Sequence, residues 1–146
     1  MIHALHHRMA PAALLALAAT LAGCDGGDVE INGQKGVPLS EIEIAGPPPT
    51  NVFLASGDDV IVTEGDTFAI KVEGSDTESL RFVRDDEVIG ITRADGWNGD
   101  AGSKATIRIT MPAPKEIIIG GAGTVKAQGL ASEAAINIGG SGTVEF

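Results

Sequence analysis

The chain has 146 residues, 43% of them hydrophobic and 21% charged, with 20 glycines, which suits one domain, since domains run to about 100–200 residues apiece. After Cys24 it carries nine basic residues, twenty acidic ones and no histidine or tyrosine, a formal charge of −11. Such a surface repels phosphate backbones, so nucleic acid is not an expected partner, and without histidine the usual general base, the Ser-His-Asp and Cys-His nucleophile systems and the commonest transition-metal ligand are all missing.

Met1 to Arg8 is a weakly basic start, followed by an Ala- and Leu-rich apolar run from Met9 to Ala22. That run is too short for a spanning helix, which needs about 20 residues, and has the form of a signal-peptide core. Leu21-Ala22-Gly23-Cys24 resembles the bacterial lipobox, in which small residues precede a cysteine that is acylated and becomes the new N-terminus. Cys24 is also the single cysteine of the chain, so it has no partner for an internal disulfide. The sequence therefore predicts a lipoprotein signal peptide at 1–23 and a lipid on Cys24. Two or more acyl chains suffice for stable membrane anchoring. Asp25 bears on sorting between inner and outer membrane in some bacteria, and the membrane stays open.

Residues 24–37 are rich in glycine and charge and read as a flexible tether. The body spans 38–146. From Cys24 onward there are 24 Ile plus Val against four Leu, a β-branched excess that suits pleated surfaces. Strands are expected at Glu41–Ala45, Val52–Ala55, Val60–Thr63, Phe68–Glu73, Leu80–Arg84, Val88–Thr92, Ala105–Met111, Glu116–Ile119, Thr124–Ala127 and Ala135–Ile138. Pro47-Pro48-Pro49, Ser56 to Asp59, Glu64-Gly65-Asp66, Asp85-Asp86-Glu87, the long Ala94 to Ser103 loop and Pro112-Ala113-Pro114 separate them.

The strongest internal signal is a repeat. Ile119-Gly120-Gly121-Ala122-Gly123-Thr124-Val125-Lys126-Ala127 recurs 19 residues later as Ile138-Gly139-Gly140-Ser141-Gly142-Thr143-Val144-Glu145-Phe146. The offset extends back to Ile117 and Ile136, while Ile118 becomes Asn137, so alternation assigns 117/136 and 119/138 inward and 118/137 outward. Two short strands and a glycine turn per unit fit one coil of a β-solenoid, each unit burying its apolar face on the next. A hairpin-built β-sandwich is the rival fold. Gly120, Gly121, Gly123, Gly139, Gly140 and Gly142 are assigned as structural turns, positions where a Cβ would be obstructed and successive corners stack. Phe146, in register with Ala127, is expected to plug the open end of the last coil.

Ala105-Thr106-Ile107-Arg108-Ile109-Thr110-Met111-Pro112, Lys115-Glu116-Ile117-Ile118-Ile119, the two GxGTV turns and the opening strands from Val52 to Gly74 together resemble the head GIN domain of auto-transporter adhesins. This is a domain-of-unknown-function family of bacterial envelope proteins, and the likeness covers 38–146. It implies an all-β, right-handed parallel β-helix or solenoid-like fold, here with a coil period of about 19 residues, and no established activity. Family members usually run through several further glycine-rich coils.

Motifs for chemistry are otherwise empty. Gly121-Ala122-Gly123 is not followed by the third glycine of a dinucleotide site, Ser141 lacks the second glycine of GxSxG, and the glycine turns lack the Asp of calcium-binding repeats. Carboxylates remain: Asp58/Asp59, Asp76/Glu78, Asp85/Asp86/Glu87 and the loop from Asp95 to Asp100. All lie in expected turns, where solvation and turn formation account for them, with weak calcium binding by the Asp95–Asp100 loop as the alternative there. Trp97, the single tryptophan, is assigned as a lid over the core edge. The sequence thus predicts a non-enzymatic envelope module, lipid-anchored and facing periplasm or exterior, with no cofactor and no metal. It would act in adhesion through contact with a protein or glycan surface. The alternatives are a carbohydrate-active enzyme using turn carboxylates and a structural protein polymerising through its coil ends; self-association is expected at that end.

Overall fold

The computed structural model describes residues 30–94 and 104–146. The strands among them are β1 (Glu30–Ile31), β2 (Gln34–Lys35), β3 (Asn51–Leu54), β4 (Asp59–Glu64), β5 (Ala69–Gly74), β6 (Leu80–Arg84), β7 (Val88–Arg93), β8 (Ala105–Met111), β9 (Glu116–Ile119), β10 (Thr124–Ala127), β11 (Ala135–Ile138) and β12 (Thr143–Glu145). Two 3-10 turns, Leu39–Glu41 and Thr77–Ser79, are their only helical company among the described residues. The chain is all-β, as the Ile and Val excess implies. One expected strand is missing: at Glu41–Ala45 a 3-10 turn runs into bends toward Pro47-Pro48-Pro49, which offer no N–H to a ladder.

Two five-stranded sheets, ordered β12-β10-β4-β8-β5 and β11-β9-β3-β7-β6, enclose one core. Val52, Leu54, Ile89, Ile91, Ile117 and Ile119 enter it from the β3 sheet, and Val60, Val62, Ile107, Ile109 and Val125 from the β4 sheet. The chain passes from one sheet to the other along β3–β4, β7–β8, β9–β10 and β11–β12, and like strands of these passages pair in parallel. The sequence repeat is a pairing register, with Ile117 opposite Ile136, Ile119 opposite Ile138 and Val125 opposite Val144. The β3–β4 passage carries the same pattern in degenerate form, Val52 opposite Ile117 and Val60 opposite Val125.

The stacking order departs from the expected solenoid. β7–β8 lies on one side of β3–β4 and β9–β10 on the other, so the stack does not follow chain order. The tight Asp85-Asp86-Glu87 turn reverses the chain, and β6 and β5 add antiparallel to β7 and β8. Both sheets stay open, and a right-handed β-helix of constant coil is not shown.

A second correction concerns the outward face. Ile118 does point away from the main core, yet it is only 8% exposed, because Ile31, Phe53, Val83 and Val88 close over it in a separate apolar cluster. The cover is the β1–β2 hairpin, closed by Asn32 and Gly33 at φ 54° and 76°, both left-handed as a two-residue hairpin turn requires. Ile31 is fully buried and sits on Gly90, where any Cβ would collide with its Cδ1. Val37 then bridges to Phe82. The segment expected to be a flexible tether is therefore built into the fold from Glu30 onward, leaving 24–29 outside the described residues.

Candidate functional site

Among the described residues, the hairpin covers the β3 sheet and the outer face of the β4 sheet is left open. Its strands bury Val60, Val62, Ile107, Ile109 and Val125, and period-2 alternation turns the residues between them outward. Strand pairing arranges these in rows. One row runs Thr143, Thr124, Asp59, Thr106, Glu73; the next runs Glu145, Lys126, Ile61, Arg108, Lys71; Thr63, Thr110 and Ala69 form a third. Five strands at about 4.8 Å give a platform roughly 20 Å across. It gathers cations in an acidic protein: Arg108 pairs with Glu73 at 2.7 Å and Lys104 reaches Asp59 at 3.6 Å. Lys71 and Lys126 have no ion-pair partner among the described residues. Such a surface is regular, with threonine hydroxyls and charges of both signs in rows across the strands.

Behind the platform lies a buried polar cluster. The corners Ala55–Asp58, Gly120–Gly123 and Gly139–Gly142 have four residues each, whereas the corner from β7 to β8 runs from Ala94 to Lys104. Asp58 clamps the base of that longer corner. Its carboxylate accepts from Arg93 Nε at 3.0 Å and Nη2 at 2.5 Å, where β7 ends, and from the Ala105 backbone N–H at 2.9 Å, where β8 begins. Ser56 Oγ donates a fourth contact at 2.6 Å. The remaining Arg93 nitrogen, Nη1, donates to the Asp76 carbonyl and to Ser79 Oγ. Burial alone would push the Asp58 carboxyl up; the hydrogen bonds from Arg93, Ser56 and Ala105 outweigh it and hold the group below its usual range. Glu116, at 8% exposure, lacks comparable donors, and burial pushes its carboxyl up.

The family model described as "Putative auto-transporter adhesin, head GIN domain" matches residues 48–146. The chain belongs to this family. Among solved structures, a "putative adhesin" from Bacteroides fragilis superposes with a TM-score of 0.55 at 17% sequence identity. The match covers 66% of this chain and 47% of that one, so the chain spans about half the length of its structural neighbour, and at this identity the likeness speaks to the fold. No curated protein matches the sequence.

In this head GIN domain the glycine corners are close-packing points. A Cβ on Gly121 would stand 2.9 Å from the Ser56 carbonyl, on Gly140 2.5 Å from the Gly121 carbonyl, and on Gly142 2.8 Å from the Gly123 carbonyl, while Gly123 would meet the Asp58 carbonyl. Stacked backbone explains them; none of the six glycines has a positive φ. Gly139 is different, the nearest neighbour of a Cβ there being 3.9 Å away.

The carboxylates do not assemble as pairs. Asp58 is 2% exposed, against the expected solvated turn, because the corner needs an acceptor for Arg93. Asp59 faces outward beside Lys104. Asp76 caps a 3-10 turn that contains Glu78, and Asp85 and Asp86 border an open surface cavity of about 390 Å³ with Glu43, Ala45, Gly46, Pro47 and Arg84. The Arg84 guanidinium there is engaged by the Pro47 and Asp85 carbonyls and stacks 5.0 Å from the Phe68 ring. Among the described residues, no three metal-ligating side chains converge. Cys24, Trp97, Asp95 and Asp100 lie outside the described residues.

Proposed function

We propose that this head GIN domain is a non-enzymatic contact module of the bacterial cell envelope. Lipid on Cys24 holds it to the membrane, and it adheres through the open face of the β4 sheet. Membership of an adhesin-described family over residues 48–146 carries the reading, and the platform of Lys71, Arg108, Lys126 and the threonine rows is the surface that suits it. The partner is a protein or glycan surface rather than nucleic acid. The two 19-residue units act as solenoid-type coils that extend the platform, each adding one strand to each sheet. The Asp58 clamp is a positioning element, fixing the ends of the Ala94 to Lys104 corner beside that face.

The test is adhesion of bacteria that express the full chain at their surface, measured on protein- and glycan-coated supports. Expression should raise adhesion above vector controls, and Lys71→Glu/Arg108→Glu/Lys126→Glu should remove the gain at an unchanged expression level. No gain, or a gain indifferent to the triple substitution, would refute the assignment of this face.

A further inference from the structure

Phe146 is 74% exposed and does not form the expected plug; the apolar surface that the chain covers on its outside lies under the β1–β2 hairpin. That cover is slight. β1 and β2 have two residues each, and a two-stranded hairpin on its own is marginally stable in water. Ile31 anchors it in the apolar cluster, and at its turn the Asn32 side chain donates from Nδ2 to Asp85 Oδ2 at 3.2 Å. Asp85 belongs to the Asp85-Asp86-Glu87 reversal, and its other oxygen accepts from the Asp86 N–H at 2.8 Å. Gly33 follows Asn32. It is exposed, has nothing within 4 Å of where a Cβ would stand, and its N–H has no hydrogen-bond partner among the described residues.

We propose that Asn32-Gly33 is a self-modification site that acts as a one-way latch on the hairpin. Glycine has no side chain to shield its backbone nitrogen, so once the turn opens the Gly33 nitrogen attacks the side-chain carbonyl carbon of Asn32. The new C–N bond closes a succinimide ring, the Gly33 N–H proton passes to the departing amide nitrogen, and ammonia leaves. Water then opens the ring at either carbonyl to give aspartate or isoaspartate. The sum is asparagine plus water going to acid plus ammonia, with no oxidant or reductant. The closed hairpin holds the reaction back, because Asn32 and Gly33 stand at left-handed φ of 54° and 76° and the Asn32 amide is engaged by Asp85. Local opening of so short a hairpin releases it. Either product then keeps the hairpin from closing. Aspartate sets a second carboxylate where the amide met Asp85, and like charges at 3.2 Å disfavour the closed form about tenfold even in water. Isoaspartate also adds a methylene to the backbone, which a two-residue turn cannot absorb in register. Ile31 is thereby withdrawn from Gly90, and Phe53, Val83, Val88 and Ile118 lose their cover.

The experiment incubates the full chain in detergent at neutral pH and follows the peptide containing Asn32 by mass spectrometry. The amide-to-acid mass gain and isoaspartate should accumulate at Asn32, and Ile31→Ala, which loosens the hairpin, should speed the gain severalfold. Asn32→Asp, one product of the reaction, should raise the rate of tryptic cleavage after Lys35 about tenfold when cleavage follows the open population. It should also bind a dye for apolar surface while the β-sheet dichroism is retained. Adding Asp85→Asn to Asn32→Asp should restore the resistance of the unsubstituted chain, which separates charge repulsion from damage to the turn. An Asn32 that stays an amide after a free peptide of the same sequence has been converted would overturn the proposal. So would an Asn32→Asp chain cleaved no faster than the unsubstituted one, or fast cleavage that Asp85→Asn leaves unchanged.

Discussion

Replacing Asp58 with alanine should open the base of the Ala94 to Lys104 corner and lower the stability of the whole body. The Arg93 side chain is 6% exposed, so the substitution removes, in the interior, the carboxylate that accepts from its Nε and Nη2 and leaves the Ser56 hydroxyl and Ala105 N–H without their acceptor. Breaking a buried pair from one side costs about 3–5 kcal/mol. That is a large part of the roughly 5–15 kcal/mol that holds a domain folded. At about 3–5 °C per kcal/mol for a domain of this size, the melting temperature should fall by roughly 10–20 °C. Asp58→Ala/Arg93→Met should recover much of the loss, because an apolar replacement of both partners removes the buried charge along with its lost counter-charge. The pH dependence carries the same signature. Because the folded carboxyl titrates below its unfolded value of about 3.9, the clamp contributes fully above that pH and is lost as pH falls through the lowered folded value. Glu116 acts in the opposite sense: its folded value is raised, so protonation relieves its burial and its share of stability grows as pH falls. Thermal melts monitored by circular dichroism from pH 7 to pH 3 read both. A shift of less than about 2 °C for Asp58→Ala, below 1 kcal/mol on this scale, would refute the clamp.

Gly123→Ala and Gly140→Ala should each cost about 1–3 kcal/mol in denaturant unfolding, since backbone stacks where the Cβ must go. Gly139→Ala should stay within about 0.5 kcal/mol, having only an ordinary contact at 3.9 Å. Gly90→Val should lift Ile31 off the β3 sheet and speed proteolysis between Glu30 and Val37, with the β-sheet dichroism retained. Cys24→Ser should shift the protein from the membrane fraction to the soluble one, or leave the signal peptide uncleaved.

Local chemistry made most strands legible. β-branched alternation marks β4 and β8 directly, and the offset of 19 between Ile117 and Ile136 is a physical register. What alternation cannot encode is which passage stacks on which. The order β9-β3-β7 depends on the Asp85-Asp86-Glu87 reversal and on the long corner after β7, and nothing in the 19-residue period contains either. The hairpin was written in the sequence and passed over: Ile31-Asn32-Gly33-Gln34 carries the Asn-Gly pair that two-residue hairpin turns favour. Its polar flanks read as tether because a single buried Ile31 leaves almost no trace in composition. Asp58 was hidden for the converse reason. A carboxylate in Ser56-Gly57-Asp58-Asp59 looks like turn chemistry, and its partner Arg93 is 35 residues away.

The hairpin also makes the two outer faces unlike. In a bare two-sheet stack both outer faces would be equivalent candidates, and the Ile118 to Asn137 replacement would mark the β3 face as solvent. Instead the row Gly90, Phe53, Ile118, Asn137 runs from under the hairpin toward the edge strand, apolar where Ile31 covers it and polar at Asn137. The apolar side chains of that row are therefore occupied within the chain. The charges follow the same division: Arg81, Arg84 and Arg93 donate to backbone carbonyls, whereas Lys71, Arg108 and Lys126 line one row of the β4 face. Among the described residues, this contrast between three cations in one row of the β4 face and arginines of the opposite sheet held by backbone carbonyls and, for Arg93, by Asp58 is what supports the proposed contact face.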